Sequence, residues 1–504
     1  MEAVTPALVA VAGVAAFAIV IVRTGLIVVA RTLMETVSSG VVAMLDSGLD
    51  DEAKEQAVRS AGLSLLAGAW KVAVRFSLAL AAVAVPILLA DLAGLVPRAD
   101  SFAVLVRLDF ILLTSVLAIL AVWAASRRKT AAAGRITGSS AYGAGGKMVH
   151  ALAFSGPGTL RNLARLDDRL FARRITAVPE TQPIFITSLA RGGTTALLNA
   201  MHSLPQVATH RYSDMPFISA PLLWSKCAGI RKPMPERERA HGDGMTIGLH
   251  SPEAFDEIFW RLHWPEKYRG PQISLWREAD YKPEAQEFFT RHFRKIIALR
   301  HPQCEETEVR YLSKNNANIA RLGLLPSMFT GCGIIVALRQ PAAHAASLHR
   351  QHQNFSRLHA EDAFVQRYMR DIGHLEFGAL HQPIAFDPEG LAAYQPDNPN
   401  YWLAYWISAF GNVSRHAGGM LIVTQADMRA SPNTTMRVLM ERLGMSGGLE
   451  RDFSAFFLSS PDPQPVELFD PKLLRRAQEI YDHLAECAIR CTSPRKPDSY
   501  GSRE

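Results

Sequence analysis

Apolar residues are distributed along this chain in two regimes. Residues 3–22 read AVTPALVAVAGVAAFAIVIV without a charge, about the length that crosses a hydrocarbon core of roughly 30 Å. Further apolar stretches run from Phe76 to Ala90, continuing past Asp91 to Pro97, and from Phe110 to Ser126. Their Ala, Val and Leu cover all faces of a helix and leave no polar stripe, so residues 1–129 are expected to be a membrane region with about three transmembrane helices. Residues 130–147, TAAAGRITGSSAYGAGGK, are Gly-, Ala- and Ser-rich and read as a flexible linker. Beyond it, short apolar runs alternate with helical patterns. PIFITSL (183–189) leads through ARGG into TTALLNAMHSL, and GIIVAL (333–338) leads through RQP into AAHAASLHRQH. Strand, turn and helix repeated in this way predict an α/β domain with a central parallel sheet flanked by helices, spanning residues 148–504.

Charge adds an orientation. No basic segment precedes the first apolar run, so it lacks the form of a cleaved secretory signal and is expected to stay. Arg127, Arg128 and Lys129 follow the third run, and such a cluster favours the cytoplasmic side. The expectation is a multi-pass protein whose large C-terminal domain, and whose polar segment Arg31–Arg59, lie in the cytoplasm. The net charge of +7 is spread among 47 acidic residues with no basic tail, which argues against a nucleic-acid partner. Five scattered cysteines suit reduced thiols, and no His, Cys or acidic cluster has metal-ligand spacing.

The two strand-to-helix turns carry the candidate chemistry. A glycine turn before a helix directs main-chain N–H groups and the positive end of the helix dipole at one point, which suits a phosphate or phosphosulfate. Gly192 and Gly193 permit close approach, Thr194 and Thr195 add hydroxyls, and Arg191 adds a planar cation. In the second turn Arg339 follows the strand and Ser347 comes eight residues later. Ligands of open α/β sheets gather at the carboxyl ends of strands, so both turns can face one crevice.

TSLARGGTT and LRQPAAHAAS resemble, in order, two elements of the sulfotransferases that use 3'-phosphoadenosine 5'-phosphosulfate (PAPS): a loop of the form PRSGTT and a later Arg-x-Pro followed by Ser. The resemblance spans residues 180–445, leaving a helical C-terminal extension, and it is to bacterial-type members related to tyrosylprotein and carbohydrate sulfotransferases. It implies a P-loop-like fold and PAPS as donor, without a metal. Arg191 takes the place of the loop cation, Gly192, Gly193, Thr194 and Thr195 line the loop, and Arg339 with Ser347 would bind the 3'-phosphate. Lys314, in RYLSKNNANIARL, matches a lysine that stabilises the transferring group. The chain departs from the pattern at Gly192, where Ser is usual, at Gln340, where Asp is frequent, and at Asn316, where Pro is usual. Asp427, at the end of a later strand, is expected to be structural.

Transfer to an alcohol also needs a base near the attacking hydroxyl. Asp214, in THRYSDMPF, is the first candidate, with a helix cap or a loop salt bridge with Arg211 as its alternative; His210, His250 and His263 follow it. Trp224, Trp260, Trp264 and Trp276, interleaved with basic residues, fit either a sugar or lipid head group or a packed helical insertion. The function expected is sulfuryl transfer to a hydroxyl of a glycan or lipid-linked acceptor at the membrane, in a bacterial inner membrane. Two other readings compete with it: an ATP-using P-loop kinase, whose GxxxxGKS/T pattern is missing here, and a non-catalytic membrane scaffold of the same fold.

Overall fold

The fully buried run Ile184–Thr187 forms strand β1 at the centre of a five-stranded sheet. The structure is a computed structural model that describes residues 4–26, 51–107 and 150–489, without residues 152, 229–236, 239–245, 248–249, 254, 303–307, 446–449 and 458–463, plus positions 29, 110 and 114. The other strands are β2 (Val207–Ala208), β5 (Arg310–Lys314), β6 (Gly333–Leu338) and β7 (Leu421–Thr424), in the order β2-β5-β1-β6-β7. Arg237–Glu238 (β3) and Thr246–Ile247 (β4) pair separately as an antiparallel ribbon. Every pairing in the main sheet is parallel, as continuous apolar runs covered on both faces require.

Alternation along the strands divides the core. Ile184, Ile186, Leu312, Ile335 and Val423 face one layer, with Leu197, Met201 and Met436. Phe185, Tyr311, Ile334, Val336 and Ile422 face the other, against the aromatic helices, following the two-residue period of a strand. Each large apolar side chain buried in this way contributes about 1.5–3 kcal/mol.

The strand ends set the height of the site. Ile186 is level with Lys314 and Thr187 with Val336, so β6 runs two residues further and delivers Arg339 beside the loop that follows β1. That loop feeds the helix Thr194–His202 through Gly193, whose φ of 93° is left-handed. Pro341 begins the 21-residue helix Pro341–Glu361, where its fixed φ and missing N–H fit the first turn.

The N-terminal helices form a separate compact unit. Val4–Thr24 is a helix, as its composition predicts, and contains the 19-residue apolar stretch Pro6–Thr24. The second apolar stretch, Ala67–Leu92, is the latter part of one 42-residue helix, Asp51–Leu92, whose first turns include residues expected to lie in a polar loop. Both are long and apolar enough to cross a membrane. Phe17 packs edge-on against Phe76 at 6.0 Å, while Leu8, Ile19, Val22, Trp70 and Leu89 are exposed. The third apolar stretch, apart from Phe110 and Thr114, and the linker at 130–147 lie outside the described residues.

Candidate active site

An open cleft of about 1340 Å³ lies at the carboxyl ends of the strands, and Arg191, Gly193, Thr194, Thr195, Arg339 and Ser347 all line it. Lys314 lines it as well, from the end of β5. Two turns more than a hundred residues apart are thus brought to one cleft.

The β1 loop is held mainly through its carbonyl oxygens. Arg191 has a φ of 67°, a conformation costly for a residue with a side chain. Arg339 Nη1 donates to the Arg191 carbonyl at 2.9 Å, and His344 Nε2 donates to the Ala190 carbonyl at 2.8 Å. The His344 tautomer follows from its other partner: the Trp406 indole N–H, which can only donate, points at Nδ1 from 3.2 Å. Arg191 Nε reaches Ser347 Oγ at 3.4 Å, closing the link between the two turns. With these carbonyls engaged, the loop's polar capacity toward an anion rests on cations, hydroxyls and the first N–H groups of the helix, which have no intrahelical acceptor.

Gly192 does not line the cleft. A Cβ there would lie 2.3 Å from Ser188 Oγ, 2.9 Å from Ser188 Cβ and 3.0 Å from the Leu189 carbonyl oxygen. Its departure from the usual Ser is therefore a packing requirement in this chain, since Ser188, itself fully buried, occupies that volume.

Asn316 ties the donor loop to the opposite wall. Its Oδ1 accepts from Thr194 Oγ1 at 3.3 Å, its main-chain carbonyl accepts from Thr187 Oγ1 at 3.1 Å, and its Nδ2 donates to Glu376 Oε1 at 3.2 Å. Glu376 is held from behind. His381 Nδ1 donates to its carbonyl at 2.6 Å while His381 Nε2 accepts from Tyr401 at 2.7 Å. Burial, with a smaller effect from His352, pushes the His381 imidazole down to about 3, so this neutral arrangement persists at working pH. Glu376, Lys314 and Asn316 border both the main cleft and a second recess behind it, lined by Leu348, Phe377 and Trp402 among others.

Asp214, the sequence-derived candidate for the base, is not brought to the cleft. It is 3% exposed, contacts Arg300 Nη2 at 2.6 Å and His210 Nδ1 at 3.1 Å, and accepts from Arg211 N at 2.9 Å. Burial alone would raise its pKa, but His210 and Arg300 together lower it, and a buried carboxylate paired in this way and away from the cleft is not placed to take the acceptor proton. The cap alternative describes its bond to the Arg211 main-chain N–H, while its ion pair is with Arg300 instead of the expected Arg211. His210 belongs to the same buried group, with Nε2 2.8 Å from His292 Nε2. His263 is half-buried and held near 4, chiefly by burial and then by Arg161. Neither it nor His250 lines the cleft.

The aromatic segment is packed core. Trp260, Trp264 and Trp276 are buried, and the Arg321 guanidinium lies 4.4 Å from the ring centres of both Trp260 and Trp276. Glu257 pairs with Arg321 through both carboxylate oxygens at 2.9 Å and also accepts from Asn315 Nδ2 at 2.7 Å. This network anchors the segment that carries Lys314 and Asn316. Asp427 is structural as expected, its Oδ2 accepting from Thr424 Oγ1 at 2.6 Å at the end of β7.

Residues 183–386, from the start of β1 past Glu376, match the family described as "Sulfotransferase family". They are a sulfotransferase-family domain. The chain thus carries a sulfotransferase-family domain, set in an α/β fold of five parallel strands flanked by helices. Among solved structures, the sulfotransferase STF9 from Mycobacterium avium aligns with 67% of this chain and 83% of its own at 12% identity and a TM-score of 0.37. The sulfotransferase STF1 from Mycobacterium tuberculosis aligns with 66% of this chain and 84% of its own, at 12% identity and 0.35. No curated protein matches the chain.

Glu376, Glu253, His359 and His374 line the sulfotransferase cleft without having been marked by the sequence. Glu253, His374 and Glu376 lie in segments with no glycine loop or strand-to-helix turn of the phosphate-binding kind, and His359 lies four turns or more beyond the Arg339 turn on its helix, so only an acid or histidine among many could have pointed to them.

Proposed function

We propose that the protein transfers a sulfuryl group from PAPS to a hydroxyl of a glycan or lipid-linked acceptor at a membrane. The observation that carries this reading is the convergence of Arg191, Arg339, Ser347 and Lys314 on one cleft of a sulfotransferase-family domain. The residues fit such a donor. Three cations and the N-terminus of a nine-residue helix offer planar and main-chain donors to phosphate oxygens.

PAPS, when bound, supplies the sulfuryl group: the acceptor oxygen bonds to sulfur as the bond from sulfur to the 5'-phosphate oxygen breaks. Arg191 and Lys314 gather the negative charge on the departing phosphate, the electrostatic contribution that commonly dominates such transfers. Arg339 and Ser347 hold the 3'-phosphate. Glu376 takes the acceptor proton, because it stands at the junction of the two cavities with Lys314 and is oriented through Asn316 and His381. The apolar helices Pro6–Thr24 and Ala67–Leu92 support a membrane setting in which the acceptor is presented at the inner leaflet.

The full chain in detergent should bind adenosine 3',5'-bisphosphate in preference to ATP. Preference for ATP would instead support a kinase. Arg191→Ala should lower kcat by about 10²–10³-fold, and an unchanged rate of sulfated product would favour a scaffold.

A further inference from the structure

Beyond the donor loop the cleft has a second wall, built from the far end of the helix Pro341–Glu361 and the loop carrying Glu376. Ser347, Arg350, Phe355 and His359 occur along one side of that helix and all line the cleft. The wall therefore starts among donor contacts and ends at His359, three helical turns away.

His359 is 6% exposed, and neither ring nitrogen has a hydrogen-bond partner among the described residues. Its ring lies edge-on to Phe355 at 5.5 Å, and Phe355 stacks against Phe377 at 6.1 Å and 13°. On the Nδ1 side it abuts Gly378, where a Cβ would come within 2.7 Å, so the main chain fixes the ring in place. A buried donor left without a partner costs about 1–3 kcal/mol, and the side chain is held there regardless.

We infer that His359 is an acceptor-recognition residue that hydrogen-bonds a hydroxyl other than the one sulfated, and that the acceptor is a neutral polyol rather than a simple alkyl alcohol. This rests on the sulfuryl-transfer reading above. Burial first, and Arg370 second, lower the imidazole pKa. A neutral ring carries one N–H and one lone pair, which a hydroxyl can satisfy as acceptor and donor together. Glu253 and Glu376 line the same cleft; of its five cations Arg191, Lys314 and Arg339 serve the donor, leaving Arg350 and Arg429 to balance the two carboxylates. The apolar faces of Phe355 and Phe377 suit the C–H face of a sugar-like ring, while a plain alkyl chain would leave the imidazole unsatisfied.

The experiment uses the full chain in nanodiscs with labelled PAPS, offering methyl hexopyranosides and 1-hexanol as acceptors. Binding of the same glycosides to protein loaded with adenosine 3',5'-bisphosphate is followed by calorimetry. Transfer to a glycoside should exceed transfer to hexanol, and H359F should raise the glycoside KM and Kd about tenfold with kcat changed little. H359Q, which restores a donor and an acceptor, should recover most of that loss, and adenosine 3',5'-bisphosphate affinity should stay constant throughout. On the unaltered enzyme, one member of a monodeoxy methyl hexoside series should show the same tenfold rise in KM, a readout independent of whether H359F folds. A flat deoxy series, unchanged glycoside binding by H359F, or transfer to hexanol alone would overturn the polyol assignment. So would transfer to neither acceptor by protein that still binds adenosine 3',5'-bisphosphate, which leaves the donor reading intact. Failure to bind that nucleotide at all would overturn both.

Discussion

The two walls of the cleft are built on opposite plans. The donor wall comes from two compact turns, residues 188–195 and 339–347, each placed by a strand that ends at the right height. The acceptor wall is assembled from separate places in the chain: Glu253, His359 at the far end of the helix that carries Ser347, and His374 and Glu376 in one loop. Main-chain geometry makes the first wall, so its residues must be contiguous. Side-chain reach makes the second, so they need not be. Asn316 and Lys314 stand where the two meet.

The sharpest way to break this comparison is Glu376→Gln. Loss of a general base should lower kcat by about 10²–10⁴-fold while adenosine 3',5'-bisphosphate affinity, measured by calorimetry, stays the same. An equal loss in both would mean that the two walls are one functional unit. Asp214→Asn should do the reverse. Breaking its buried pair with Arg300 should cost about 3 kcal/mol in denaturant unfolding, with kcat at low temperature nearly unchanged. A large fall in kcat from fully folded protein would return Asp214 to the chemistry.

Gly192→Ala tests the packing of the donor wall. The added Cβ overlaps Ser188 and should cost about 1–3 kcal/mol. Adding Ser188→Gly should recover part of the loss, since Leu189 O remains at 3.0 Å. No recovery would mean that the main chain alone demands glycine there.

The smallest effect is on pH dependence. His202 ends the donor-side helix, and His263 ends the helix that carries Glu257. Burial first, with Arg211 for His202 and Arg161 for His263, holds each near 4. Both folded values lie below the ordinary 6.5, so the unfolded chain binds protons first as pH falls. Their stabilisation is complete above pH 6.5 and is lost as pH falls toward 4. Urea midpoints between pH 7 and 4.5 should decline, and His202→Gln and His263→Gln should each flatten the curve. A change from only one would show that the other histidine takes up its proton alike in the folded and unfolded chain.

What the sequence determined by itself is everything that depends on local order. The α/β alternation, the apolar N-terminal helices, the ARGG turn and the Arg339–Ser347 turn are all contiguous patterns, because strand burial, glycine turns and helix starts are set by neighbouring residues. The tertiary structure decided the rest. It sent Asp214 into a pair with Arg300, made Gly192 a consequence of Ser188, put Arg321 between two tryptophans, and placed Glu376 and His359 on the cleft. Each of these depends on which residues meet across 86, 4, 45–61, 60 or 19 positions of chain. Only Ser188 and Gly192 are close enough in sequence to have been paired in advance, and their clash comes from the bend of the loop rather than from residue type.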